Sequence, residues 1–102
     1  MAITTLKIKK FNYLFVLGAD RVRINLYDER EHPFAMIFVL NEKEATGPPI
    51  KTGAGDYQIF VHTAHLQGIL DMLRNETTYF HTSAEDPGNS FLSNSDDPFG
   101  LR

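Results

Sequence analysis

Only one stretch of this chain, around Leu66, Ile69, Leu70 and Leu73, repeats its apolar residues at helical spacing, and it is short. What precedes it alternates or runs apolar in the brief bursts of β-strands. One amphipathic helix of about three turns cannot cover a sheet of several strands and also hide its own back. At 102 residues the chain is one domain, able to bury about two-thirds of its unfolded surface. It would therefore gain by dimerising, with Leu66, Ile69, Leu70 and Leu73 packed between two copies and against both sheets.

The strands follow from period and punctuation. Residues 4–17 predict one long strand, with a bulge near Lys9-Lys10 that would exchange its two faces. Gly18-Ala19-Asp20 is a turn, and residues 21–28 alternate as a second strand. Pro33 has no N–H for a ladder and should open the third strand. Residues 34–40, FAMIFVL, are apolar at every position, as a centrally buried strand would be. Residues 41–56 hold Gly47-Pro48-Pro49 and Gly53-Ala54-Gly55, which predict a long flexible loop. Residues 57–62 alternate again, Thr63 is a plausible N-cap, and the helix runs to about Asn75. Residues 77–82 are β-prone and fit either a fifth strand or an ordered arm. Residues 83–102, rich in Ser, Asp, Pro, Gly and Asn, predict a disordered acidic tail. The expected fold is α+β: a four-stranded sheet followed by one helix, β-β-β-β-α, within a single domain of residues 1–82.

A net charge of −3 hides an asymmetry. Residues 1–27 carry Lys7, Lys9, Lys10, Arg21 and Arg23 against Asp20 alone, whereas residues 83–102 carry Glu85, Asp86, Asp96 and Asp97 against Arg102. The basic end also holds the rings. Lys7, Lys9, Phe11, Tyr13 and Phe15 share one parity, and Arg21, Arg23, Asn25 and Tyr27 share one in the next strand. Leu6, Ile8, Leu14, Val16, Val22, Ile24 and Leu26 take the opposite parity and should face the helix and core. Cations that track phosphates beside rings that stack on bases are the parts of a platform for single-stranded nucleic acid. The same stripe equally suits a sheet face buried by a partner subunit, with lysines guarding an edge strand.

Other chemistries find little support. The chain has no cysteine, hence no disulfide framework and no thiolate zinc site. His62 and His65 are three apart while His32 and His81 stand alone, so no metal site and no cofactor is expected. No nucleophile–base order, phosphate loop or carboxylate pair stands out, and an enzyme is not expected. Asn75-Glu76-Thr77 matches a glycosylation sequon that is idle without secretion. No apolar run follows the first charges and none approaches the ~18 residues of a membrane span, so a cytoplasmic protein without a membrane partner is expected.

Phe15-Val-Leu-Gly18, then Arg21-Val-Arg-Ile, a third apolar strand, a loop with Pro48-Pro49-Ile-Lys51 and Gly53, a short strand and one helix resemble the transcriptional positive cofactor four family. The likeness spans residues 6–75, and the Whirly proteins share a related fold. It implies a curved four-stranded antiparallel sheet followed by one helix, a homodimer formed through that helix, and binding of single-stranded DNA with little sequence preference. By position it places Phe15, Arg21 and Lys51 at the DNA; Lys7, Lys9, Phe11, Tyr13, Arg23 and Tyr27 join them from the strand pattern. RNA is the alternative ligand. A small, near-neutral body with an acidic tail would suit a phage or bacterial accessory protein of replication, recombination or transcription, on the nucleoid or in a host cytoplasm. Ser95-Asp96-Asp97-Pro98-Phe99 resembles the acidic tips of bacterial single-stranded-DNA-binding proteins, which implies a protein partner for the tail around Asp96, Asp97, Pro98 and Phe99. The alternatives of another class are a dimeric protein–protein interaction module and an OB-type nucleic-acid-binding barrel.

Overall fold

The computed structural model describes residues 3–19 and 21–97. Along them run β1 (Thr4–Ile8), β2 (Lys10–Val16), β3 (Arg21–Tyr27), β4 (Pro33–Leu40), β5 (Ile50–Lys51), β6 (Tyr57–His62), α1 (Leu66–Asn75), β7 (Thr78–Thr82) and β8 (Phe91–Ser93). Single 3-10 turns at Leu17–Ala19, Thr63–His65 and Pro87–Asn89 join some of them.

The strands form two sheets, one of three strands in the order β1-β7-β8 and one of five in the order β2-β3-β4-β6-β5. This corrects the expected fold in four respects. The long first strand is two strands in different sheets. The helix lies between β6 and β7 rather than after the last strand. The large sheet is mixed, because β4 and β6 run parallel. Residues 84–97 are not a disordered tail: they include a 3-10 turn and β8, which pairs with β7 from Tyr79↔Ser93 to His81↔Phe91. Residues 77–82 resolve as a strand, β7, at the centre of the small sheet. Pro98 and Phe99, where a tail partner was expected, lie outside the described residues.

Physical reasons for these differences are local. At Lys9 the chain leaves one sheet for the other, and its N–H donates to Tyr27 O at 2.8 Å. The predicted bulge is thus a complete handover between sheets, and the faces do exchange there. Parallel β4 and β6 need a long crossover. The chain supplies it by passing over the end of β6 to lay down β5 on the far side, then returning as a hairpin. Gly55, at φ 93°, makes that return turn, a conformation that favours glycine. The segment read as a flexible loop is this crossover.

The core lies between the inward face of the large sheet, the small sheet and α1. Ile24, Leu26, Ile37 and Ile59 from the large sheet meet Ile8 and Phe80 from the small one and Leu70 from the helix. Tyr57 closes edge-to-face on Phe80, ring centroids 5.2 Å apart. Full burial of such side chains is worth roughly 1.5–3 kcal/mol each. Leu66, Ile69 and Leu73 pack against this same core, and Leu70 is only 5 % exposed. The stripe expected at a dimer interface thus packs on the core of its own chain, with Leu66, Ile69 and Leu73 partly exposed. The small sheet, built largely from residues read as a fifth strand or an arm and as a tail, supplies the cover that a four-stranded sheet with one helix lacks. Thr63 does not cap the helix by its side chain. The other end is closed by Thr78, whose hydroxyl lies 3.2 Å from both Met72 O and Glu76 O.

Candidate nucleic-acid interface on the outer sheet face

Residues directly opposed in a ladder share a face, so the register sorts the predicted stripe. Phe11, Tyr13 and Phe15 stand opposite Leu26, Ile24 and Val22, on the face turned toward the core. Arg21, Arg23 and Tyr27 stand opposite Val16, Leu14 and Lys10, on the outward face. The handover at Lys9 is what divides them. Leu14 and Val16, expected in the core, accompany the arginines outside.

The outward face crosses four strands in one row, Leu14–Arg23–Phe38–Phe60, and five in the next, Asn12–Asn25–Met36–Gln58–Ile50. None of these side chains belongs to the core cluster, and none is fully buried. Phe38 and Phe60, on the parallel pair, lie nearly flat against one another, with centroids 5.7 Å apart and planes 21° apart. Beside them the Arg23 Nε and the Asn25 Oδ1 are shielded yet have no hydrogen-bond partner. At the edge the Lys10 ammonium sits 5.1 Å over the Tyr27 ring and 3.1 Å from Glu31 Oε1, and Asn12 Nδ2 donates to the Tyr27 hydroxyl at 2.9 Å.

Glu44 organises the far corner. Its Oε1 accepts the Asn41 N–H at 3.1 Å and its Oε2 pairs with Arg21 Nη1 at 3.0 Å, while His62 Nε2 donates to its carbonyl at 2.8 Å. The Asn41 N–H first, and then the Arg21 guanidinium, hold this carboxyl below the ordinary carboxylate range against the opposing effect of desolvation. Arg21 is thus already paired with a carboxylate.

The remaining predicted residues lie elsewhere. Lys7 is exposed on β1 in the small sheet, Lys9 is at the handover, and Lys51 lies opposite Tyr57 with its ammonium 5.8 Å from that ring. Phe11 packs against the core, whereas Tyr13 and Phe15 remain 48 % and 53 % exposed. The structure thus gathers Arg21, Arg23 and Tyr27 and disperses the other six. It adds Lys10, Phe38 and Phe60, which the sequence did not single out. An all-apolar β4 reads as buried on both faces, which hides Phe38; the alternation Gln58, Phe60, His62 was the available signal for the outward face of β6.

A groove of about 610 Å³ opens on the other side of the large sheet, lined among others by Ile59, Val61, Ile69, Met72, Phe91 and Leu92. It offers apolar surface without converging charge. Among the described residues no group of three or more His, Asp or Glu could hold a metal ion, and no helix is long and apolar enough to cross a membrane. No family model matches the chain, and neither the curated proteins nor the solved structures contain a significant match to it.

Proposed function

We propose that this protein binds single-stranded nucleic acid, DNA first, across the outward face of its large sheet and with little sequence preference. The observation that carries this is the flat Phe38–Phe60 pair, with Arg23 beside Phe38 on the same face. Rings on an open sheet face offer stacking to any base, because every base has a π-face, and a guanidinium supplies the phosphate contact. Lys10, Arg21 and Tyr27 extend the surface along β2 and β3. Such a protein would act wherever single strands are exposed in replication, recombination or transcription, in a bacterial or host cytoplasm.

Titration of a labelled dT oligonucleotide over a salt series tests the proposal. Phe38→Ala or Phe60→Ala should weaken binding by about 1–3 kcal/mol per stacked base and leave the salt slope almost unchanged. Arg23→Gln should weaken binding and flatten that slope, since fewer counterions are released. Duplex of the same sequence should bind worse. Duplex binding as tight as that of dT would refute stacking. One feature favours a second reading, a protein-docking face: Lys10 and Arg21 are already paired with Glu31 and Glu44. Failure to bind any oligonucleotide at low salt would select it.

A further inference from the structure

We infer that the free edge of β2 pairs antiparallel with β2 of a second copy, joining two five-stranded sheets into one of ten strands. An unpaired edge presents a row of N–H and C=O groups, and soluble proteins blunt such edges with proline, inward charge or very short strands. Three of the four sheet edges here are blunted. β5 has two residues, preceded by Pro48-Pro49, and carries Lys51; β8 has three residues; β1 carries Lys7. β2 is seven residues long; its one charge, Lys10, stands at its first position and is paired with Glu31, and from Phe11 to Leu17 the chain has neither a charge nor a proline. It also carries the exposed apolar surface. Tyr13, Phe15, Val16 and Leu17 are 48, 53, 36 and 84 % exposed, and among the described residues the other large exposed hydrophobic is Ile50.

Self-complementarity of the strand selects a second copy as the occupant. A two-fold axis perpendicular to the sheet keeps like faces on one side, so opposed residues must share parity. Centring the pair on Leu14 sets Tyr13 against Phe15 of the other copy and Asn12 against Val16, twice each. Leu17, in the 3-10 turn that follows the strand, then comes to the Phe11 end of the other copy, and no like charges meet. Removing these side chains and the strand edge from water in both copies buries on the order of 1,000 Å², the lower bound of a specific interface. The pairing uses the one unblunted edge of each copy and so closes at two. The inference stands independently of nucleic-acid binding, although the outward faces of both copies would become continuous.

Sedimentation of the full chain up to about 100 µM, a concentration that populates a dimer whose Kd is in the micromolar range, tests it. The expected species is a dimer. Leu17→Lys lies on a side chain too exposed to affect folding of one copy, and should raise the dissociation constant at least tenfold, as should Tyr13→Glu and Phe15→Lys singly. The double variant Tyr13→Glu/Phe15→Lys places opposite charges across this register and should recover dimer relative to either single change. A monomeric wild type, an open-ended polymer, or a dimer that Leu17→Lys leaves intact would each overturn the inference. Recovery failing in the double variant would overturn the register centred on Leu14.

Discussion

Replacing His81 probes whether residues 84–97 belong to the folded unit. The imidazole is 0 % exposed on the central strand of the small sheet and lies against Phe91, ring centroids 4.4 Å apart. Its Nε2 is 2.9 Å from Ser95 O, a carbonyl that can only accept, so Nε2 carries the proton. In the neutral ring Nδ1 then accepts from the Thr5 hydroxyl, 3.0 Å away. One side chain thus ties β1 and the segment after β8 to the middle strand. His81→Ala removes a buried ring and leaves a void, at a cost on the order of 3 kcal/mol. In a domain of this length that lowers Tm by roughly 10–25 °C. His81→Phe keeps the stack on Phe91 and loses only the polar contacts. Ser95 O retains its bond from Ser93 Oγ, and exposed Thr5 can turn to water, so the cost is about 1–2 kcal/mol. Urea unfolding should show the midpoint falling from wild type to Phe to Ala at constant slope. An Ala variant within the error of wild type would mean that the segment does not pack on β7, and the two-sheet architecture would be wrong.

Truncation after Ser83 should lower the urea midpoint sharply, since it strips β8 from Phe80 and His81, which are 1 % and 0 % exposed; a merely solvating tail would leave the midpoint where it was. Acid should destabilise the fold through two carboxyls. The His32 and Arg30 N–H groups hold Asp28 below its ordinary pKa, and Asn41 with Arg21 does the same for Glu44. A depressed folded-state pKa contributes stability above the unfolded pKa and loses it as pH falls through the folded one, so stability should decline below about pH 5. Asp28→Asn and Glu44→Gln should flatten that acid limb, and an unaltered limb in the double variant would reject this assignment. Single-strand binding and its loss in Phe38→Ala, and dimer loss in Leu17→Lys, complete the set.

Local sequence determined four of the elements and much of their boundaries, because period and turn chemistry act over a few residues. Alternation at 21–27, the apolar run 34–40, the strand 57–62 and the helical spacing from Leu66 to Leu73 all became what their periods imply. Tertiary structure decided which faces those elements share. A strand shows two parities but not which one looks inward, and the handover at Lys9 reversed that assignment for Phe11, Tyr13 and Phe15 relative to Arg21 and Arg23. Composition misjudged residues 83–97 for a related reason. Their few apolar side chains, Phe91 and Leu92, suffice only because β7 offers a prepared edge and His81 a stacking partner, neither of which is adjacent in the chain. That small sheet covers part of the core that the helix stripe was expected to share with a second copy. The outward face with Phe38 and Phe60 and the bare edge of β2 are both set by long-range pairing that no local pattern encodes.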